Sequence, residues 1–218
     1  MTRFKPTDLY CITAQSFSRG RTNLEVVRRL IAAGIQVIQY REKDKSMKLK
    51  FEECTQIRQM TRQAGVTFIV NDHVDLAMAV DADGIHVGQD DLPVPEIRRL
   101  TRDRMIIGLS THSPEQAAMA VVLGVDYIGA GPIYRTATKT DVCDPVGLGY
   151  LEHVIATHDI PVVAIGGIKA HNLGAVTECG ATCVAMVTEI VGADDIQGKI
   201  QQIRRLMGQG MALPHRHL

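Results

Sequence analysis

The feature that most constrains the fold of this chain is a regular alternation of short β-branched runs with amphipathic segments of helical period. Eight such runs have the length and composition of strands: Leu9–Thr13, Val37–Arg41, Thr67–Val70, Gly84–Val87, Met105–Leu109, Tyr127–Ala130, Val162–Ile165 and Cys183–Val187. Helical segments follow them, beginning near Asn23, Ser46, Val74, Val94, Pro114, Leu148, Ala170 and Asp194. Regular strand–helix alternation predicts a parallel sheet covered by helices.

Eight strand–helix units favour a closed α/β barrel, the (β/α)8 or TIM barrel, over an open doubly wound sheet. The open sheet calls for a glycine-rich turn after its first strand, and residues 14–20, AQSFSRG, do not fit the dinucleotide fingerprint. A length of 218 residues suits one domain and a compact barrel. We therefore predict a single TIM-barrel domain over residues 1–218, with a short polar N-terminus and a disordered tail from about residue 208 to residue 218.

Charge and hydropathy argue against several classes of partner. The 24 basic and 24 acidic residues balance, which gives no reason to expect nucleic acid or an anionic membrane surface. No apolar run reaches the roughly 18 residues of a membrane helix, and the first eight residues lack a signal-peptide core. The five cysteines complete no zinc motif and are expected to be reduced. We expect a cytoplasmic protein, and the oligomeric state stays open, a homodimer included.

Polar residues follow the predicted strands at the end where barrels of this kind place their working groups. Gln39, Arg41 and Lys43 alternate, so if the second strand continues they share one face toward the barrel mouth. By the same alternation Tyr40 and Glu42 point away. The other strands are followed by Asn71, Asp72, Asp91, Ser110, His112, Lys139 and Thr188.

The charges at the mouth indicate a Mg²⁺-diphosphate site. Arg41, Lys43 and Lys139 supply positive charge, and Asp72 and Asp91 supply hard oxygen ligands. Mg²⁺ usually takes one or two protein carboxylates and completes its shell with phosphate oxygens and water. Taken singly, a charged residue in such a loop is more often a solvated or capping residue than a ligand.

A second, separate phosphate site is predicted at Gly166-Gly167, after the seventh strand. Backbone NH groups at this corner are the usual phosphate ligands of the fold, and Gly167 lacks a side chain that would keep a phosphate away. A diphosphate site beside a monophosphate site indicates a two-substrate transferase. A Gly-Gly pair alone is also consistent with a simple turn.

The histidines are less informative. His73 and His86 read as packing or surface residues, and no role is assigned to them. His112, beside Ser110 at a strand end, is left open as a site residue.

Six motifs in order resemble those of the thiamin phosphate synthase family. They are residues 39–43 (QYREK), 71–72 (ND), 83–91 (DGIHVGQDD), 108–113 (GLSTHS), 131–139 (GPIYRTATK) and 164–168 (AIGGI). The resemblance runs from about the first strand to the eighth. It implies a Mg²⁺-dependent transferase that joins a hydroxymethylpyrimidine diphosphate to a thiazole phosphate, releasing diphosphate through a pyrimidine-methyl cation.

The resemblance also implies residue roles. The pyrimidine diphosphate would be held by Gln39, Tyr40, Arg41, Glu42, Lys43, Asn71, Ser110 and Lys139, of which Arg41, Lys43, Ser110 and Lys139 would act in catalysis. Asp72 and Asp91 would bind Mg²⁺. The carboxylated thiazole phosphate would be held by Thr136, Ala137, Thr138, Gly167, Val187 and Thr188. Tyr40, where a smaller residue is more usual, and Thr188, where serine is common, depart from the family pattern without removing a required group.

Two rival functions stay open. The sister family, a thiazole tautomerase, shares the barrel and the Gly-Gly corner but has no use for Asp72, Asp91 and Lys139 together. A non-catalytic barrel that senses thiamin intermediates needs no leaving-group machinery. The long connection at residues 134–147 is either a lid that excludes water from the cation or a solvated connector.

Overall fold

The computed structural model describes residues 4–5, 7–136, 138 and 143–211. Eight parallel strands close into a barrel in sequence order, and the last pairs with the first through Tyr10 and Ala185. The strands are β1 Leu9–Ile12, β2 Val37–Tyr40, β3 Thr67–Asn71, β4 Gly84–Val87, β5 Ile106–Thr111, β6 Tyr127–Ala130, β7 Val162–Ile165 and β8 Val184–Ala185. The predicted closed (β/α)8 barrel is confirmed.

Helices cover the barrel on the outside. They are α1 Asn23–Ala32, α2 Met47–Ala64, α3 Val74–Ala79, α4 Val94–Thr101, α5 Pro114–Val122, α6 Gly147–Thr157, α7 Leu173–Glu178, α8 Thr188–Val191 and α9 Ile196–Met211. Several begin where capping chemistry predicts: the Ser113 hydroxyl accepts from the backbone NH of Gln116, and Pro114 occupies the first turn of α5. The four-residue α8 was not expected.

Five strands differ from their predicted bounds: β1, β2 and β3 by one residue at the end, and β5 and β8 by more. β5 continues past Leu109, because Ser110 and Thr111 still pair with Gly129 and Ala130 of β6. Ser110 therefore lies on a strand and not in a loop. β8 is two residues long, because Val187 already caps α8.

Side chains divide between two cores. Residues that point outward pack against the helices, whereas a smaller set fills the barrel interior: Phe4, Tyr10, Ile12, Val37, Ile69, Ile106, Tyr127, Val163, Cys183 and Ala185. Phe4 stacks on Tyr127 with ring centroids 4.3 Å apart. The interior thus contains two phenols as well as aliphatic groups.

The C-terminal helix extends into the segment predicted to be a disordered tail. Ile196, Ile200, Ile203 and Met207 of α9 are buried at helical spacing, and the helix runs on to Met211. Residues 212–218 lie outside the described residues, so the prediction for them stays a prediction.

All five cysteines are free thiols. In the described part of the chain, no helix has both the length and the apolar character needed to cross a membrane.

Candidate active site

A pocket opens at the carboxyl ends of the strands. It gathers seven residues predicted for the site: Arg41, Ser110, Thr136, Thr138, Gly167, Val187 and Thr188. His112, left open by the sequence, and Lys169, which the sequence analysis did not select, also line it. Gln39, Lys43, Asn71, Asp72 and Asp91 are not among its lining residues.

The alternation predicted for β2 holds for Gln39 and Tyr40, but the strand ends at Tyr40 and does not continue through Arg41 and Lys43. Gln39 is buried in the barrel interior, where its Nε2 donates to Tyr10 Oη at 2.9 Å. Tyr40 points outward and donates to Glu53 Oε2 of α2 at 2.7 Å. The Tyr40 side chain therefore lies away from the mouth, and its predicted role in substrate binding stays a prediction.

The loop after β2 is anchored on both sides. Arg41 donates its backbone NH to Thr13 Oγ1 at 2.9 Å, and Glu42 accepts from the backbone NH of Gln15 at 2.9 Å. Glu42 thus fixes the loop after β1, as expected for a side chain that points away from the mouth. Lys43 is exposed, and its carbonyl oxygen accepts from Lys50 Nζ at 3.4 Å.

Buried Lys50 of α2 also contacts His73, with Nζ and Nε2 3.0 Å apart. His73 follows Asp72, so this contact links the loop after β2 to the loop after β3. No sequence signal distinguishes Lys50 from the solvated lysines beside it on the same helix.

The two predicted metal ligands sit at the ends of neighbouring strands. Asp72 has a φ of 60°, in the left-handed region, and donates its backbone NH to the His86 carbonyl at 2.9 Å. Non-glycine residues in this region are uncommon and cluster at functional sites, although aspartate tolerates it better than most. The Asp91 carboxylate accepts from the backbone NH of Gly88 at 2.7 Å. β3 and β4 pair through Asn71 and His86, so Asp72 and Asp91 follow neighbouring strands at the mouth.

The donor set at these strand ends fits Mg²⁺ in one particular way. Among the described residues, no group of three or more His, Cys, Asp or Glu side chains could hold a metal by itself. Asp72 and Asp91 together offer the one or two carboxylates that Mg²⁺ takes when phosphate and water complete its shell. The pair therefore suits an ion shared with a phosphorylated substrate.

The Ser110 hydroxyl is hydrogen-bonded to His86, a residue for which no role was predicted from the sequence. Ser110 Oγ lies 2.9 Å from His86 Nε2, and His86 Nδ1 lies 3.0 Å from Tyr127 Oη. Gln89 Nε2 also donates to the Ser110 carbonyl at 2.6 Å. His86 therefore lies in the barrel interior beside the site. Strand alternation, applied from Ser110 to the neighbouring strand β4, could have predicted this position.

His112 both lines the pocket and has a structural contact. Its backbone NH donates to Gln116 Oε1 at 2.7 Å, and its Nδ1 lies within hydrogen-bond distance of the Gly131 carbonyl. These contacts fix the start of α5 and the first residue after β6.

The Gly-Gly corner is set by contacts with the loop after β6. Gly166 and Gly167 have φ values of 98° and 65°, which favour glycine. A Cβ on Gly167 would lie 2.6 Å from the Arg135 carbonyl oxygen and 2.8 Å from Tyr134 Cβ. The missing side chain is thus required for close packing of two loops, and not only for the approach of a phosphate.

Lys169 adds a positive charge to this corner. Its Nζ donates to Thr188 Oγ1 at 2.6 Å and lies 3.6 Å from Glu189 Oε2. A lysine two residues after the Gly-Gly pair was visible in the sequence, but only the fold shows that it reaches Thr188 at the start of α8.

The loop after β6 is described in part. Thr136 Oγ1 donates to Thr138 Oγ1 at 3.2 Å, and both threonines line the pocket. Ala137, Lys139 and residues 140–142 lie outside the described residues. The roles predicted for Ala137 and Lys139, and the choice between lid and connector for residues 134–147, stay predictions.

The fold and the site together define a (β/α)8-barrel enzyme whose mouth suits phosphorylated small molecules. Residues 9–190 match the family model described as thiamine monophosphate synthase. A thiamine-phosphate synthase from Pelotomaculum thermopropionicum is 61% identical over 202 residues, 93% of each chain, and one from Lawsonia intracellularis is 52% identical over 198 residues, 91% of each. The solved thiamine phosphate pyrophosphorylase from Pyrococcus furiosus superposes with a TM-score of 0.84 at 33% identity, over 94% of this chain and 97% of that one.

This chain belongs to the thiamine monophosphate synthase family. It is a transferase, as the resemblance of its six motifs implies.

Proposed function

We propose that this chain condenses 4-amino-2-methyl-5-(diphosphooxymethyl)pyrimidine with carboxythiazole phosphate, or with hydroxyethylthiazole phosphate, to give thiamin phosphate and diphosphate. The observation that carries the proposal is the division of the barrel mouth into two arcs. The residues proposed for the pyrimidine diphosphate lie at the ends of β2 to β5, apart from Lys139 in the loop after β6, whereas those proposed for the thiazole phosphate follow β6 to β8. In a closed ring of eight strands, β3 and β4 lie opposite β7 and β8.

Opposed subsites suit a displacement in which one substrate loses a group and the other adds to the same carbon. Diphosphate would leave toward the β3–β4 side, and the thiazole nitrogen would approach the pyrimidine-methyl cation from the β7–β8 side. Holding both partners in this geometry removes much of the entropic cost of bringing them together.

The β2–β5 arc has the charges that a leaving diphosphate needs. Arg41 lines the pocket directly after β2, and Lys43 follows in the same loop. Mg²⁺ held by Asp72 and Asp91 would supply further positive charge to the leaving oxygens. Such charge stabilises the transition state when it faces the atoms on which negative charge develops.

The β6–β8 arc has the groups that a monophosphate needs. The hydroxyls of Thr136, Thr138 and Thr188 line the pocket together with the backbone of Gly167. The Lys169 ammonium group lies beside the Thr188 hydroxyl and would pair with a phosphate or carboxylate of the thiazole substrate. Val187 offers an apolar surface for the ring.

A simple assay distinguishes the rival functions from this one. Carboxythiazole phosphate is incubated alone, and then with the pyrimidine diphosphate and Mg²⁺, and both mixtures are resolved by chromatography. We expect thiamin phosphate from the full mixture and no thiazole isomer from the single substrate. Isomerisation without condensation would indicate the tautomerase, and binding without turnover would indicate a sensor.

Cytoplasmic location, homodimer formation, and the lack of nucleic-acid and membrane partners stay predictions from the sequence.

A further inference from the structure

We propose that Tyr10, Tyr127 and His86 form a hydrogen-bond relay through the barrel interior that fixes Ser110 as a donor toward the bound substrate. The relay begins at Gln39, whose Nε2 donates to Tyr10 Oη at 2.9 Å. The two phenol oxygens lie 2.7 Å apart. Tyr127 Oη lies 3.0 Å from His86 Nδ1, and His86 Nε2 lies 2.9 Å from Ser110 Oγ.

The rings of Tyr127 and His86 fit inside the barrel because Gly108 of β5 and Gly129 of β6 have no side chain. A Cβ on Gly108 would lie 2.1 Å from Tyr127 Cζ and 2.5 Å from His86 Nδ1. A Cβ on Gly129 would lie 3.2 Å from His86 Cε1. Glycine weakens a strand interior, so its presence in β5 and β6 is accounted for by the rings that it accommodates.

The direction of the relay follows from counting donors. Tyr10 Oη accepts from Gln39, and within the described residues Tyr127 Oη is the acceptor in reach of the Tyr10 hydroxyl hydrogen. Tyr127 Oη then donates its own hydrogen bond to His86 Nδ1. A neutral imidazole that accepts at Nδ1 carries its proton at Nε2, so His86 donates to Ser110 Oγ.

The two phenols keep their protons, because burial raises the pKa of Tyr10 and of Tyr127 well above the ordinary value. Both can therefore serve as donors at neutral pH.

The consequence for Ser110 rests on the proposed function. With one lone pair occupied by His86, the Ser110 hydroxyl directs its hydrogen into the pocket that it lines. Ser110 is then preset as a donor for the pyrimidine diphosphate, and the entropic cost of orienting a free hydroxyl is removed. Tyr10, Tyr127 and His86 are positioning residues, since they act through Ser110.

The tautomer of His86 tests the relay without any turnover. We expect ¹⁵N NMR of the full chain, at a pH well above the usual imidazole pKa, to show His86 protonated at Nε2 and not at Nδ1. The signal is assigned by its absence in His86→Gln. Protonation at Nδ1 would make His86 the donor to Tyr127 and the acceptor from Ser110, the opposite of the proposed directions, and would overturn the proposal.

A double-mutant cycle tests whether Tyr127 acts through Ser110. Loss of one neutral hydrogen bond predicts that Tyr127→Phe lowers kcat/KM for the pyrimidine diphosphate by about three- to tenfold. In a Ser110→Ala background the same substitution should change kcat/KM by less than about twofold, because the group it positions is already gone. An equal loss in both backgrounds would show that Tyr127 is merely structural and would overturn the proposal.

Tyr150→Phe is the matched control. Tyr150 is also a buried phenol, and it donates to Thr111 Oγ1 at 2.7 Å, outside the relay. It should leave the His86 tautomer and kcat/KM unchanged. If the wild-type chain made no thiamin phosphate, the proposed function would fail, while the tautomer of His86 would still decide the relay.

Discussion

Lys169 and Thr188 join the two loops that form the β7–β8 corner, with Lys169 Nζ 2.6 Å from Thr188 Oγ1. The lysine is partly exposed, and Glu189 carries a competing negative charge 3.6 Å away. Glu189 also pairs with Lys199 at 3.3 Å, so the corner keeps a net positive charge when all three groups are ionised. An anionic group of a substrate would find that charge next to a hydroxyl donor.

Lys169→Ala should therefore weaken binding of the thiazole phosphate selectively. A hydrogen bond to a charged group contributes about 1.5–3 kcal/mol, and partial exposure favours the lower end. We expect KM for the thiazole phosphate to rise about tenfold, with KM for the pyrimidine diphosphate nearly constant. Lys199→Ala is the control, because Lys199 pairs with the same glutamate but does not line the pocket. Equal effects on both substrates would contradict two separate subsites.

Asp72→Ala and Asp91→Ala should lower turnover by at least about 100-fold, the scale seen when one transition-state charge partner is removed. EDTA should reproduce the loss in the wild-type chain. Asp90→Ala, at an exposed position beside Asp91, should retain activity. Full activity of Asp72→Ala in the presence of the chelator would contradict the metal assignment.

Gly167→Ala should reduce stability as well as activity. A side chain at a φ of 65° costs about 1–2 kcal/mol, and its Cβ would also meet the Arg135 carbonyl. The melting temperature should therefore fall by several degrees, measured by calorimetry. Gly149→Ala, in α6 with no atom within 4 Å of the added Cβ, should be neutral or slightly stabilising. An unchanged melting temperature for Gly167→Ala would contradict the loop packing described here.

Glu53 should make the free energy of unfolding depend on pH in the acidic range. Burial alone would raise its pKa, but hydrogen bonds from Lys45, Asn23 and Tyr40 outweigh burial and lower the pKa below the ordinary value. A lowered folded-state pKa gives stability that is present above the unfolded-state pKa and is lost as the pH falls through the folded-state value. The difference in unfolding free energy between wild type and Glu53→Gln should therefore be largest near neutral pH and shrink below about pH 4. Exposed Glu52→Gln is the control, and a pH-independent difference would contradict the argument.

Hydrophobic periodicity was sufficient to predict the barrel, and strand alternation was sufficient to predict the directions of the two central side chains of β2. Gln39 and Tyr40, for example, point as their alternation predicts, because the pleat fixes direction locally. Periodicity does not specify which distant group meets a buried polar side chain. The contacts of Lys50 with His73, and of His86 with Ser110, join elements far apart in sequence, so these residues were missed or taken for packing.

In the proposed function, one barrel mouth binds two phosphorylated substrates and joins them. The most direct test is the stoichiometry of products when the wild-type chain is given the pyrimidine diphosphate, the thiazole phosphate and Mg²⁺. The two-arc site predicts one thiamin phosphate for each diphosphate released, with no product when either substrate is omitted. Diphosphate release at the same rate without the thiazole phosphate, or no thiamin phosphate from the complete mixture, would contradict the account.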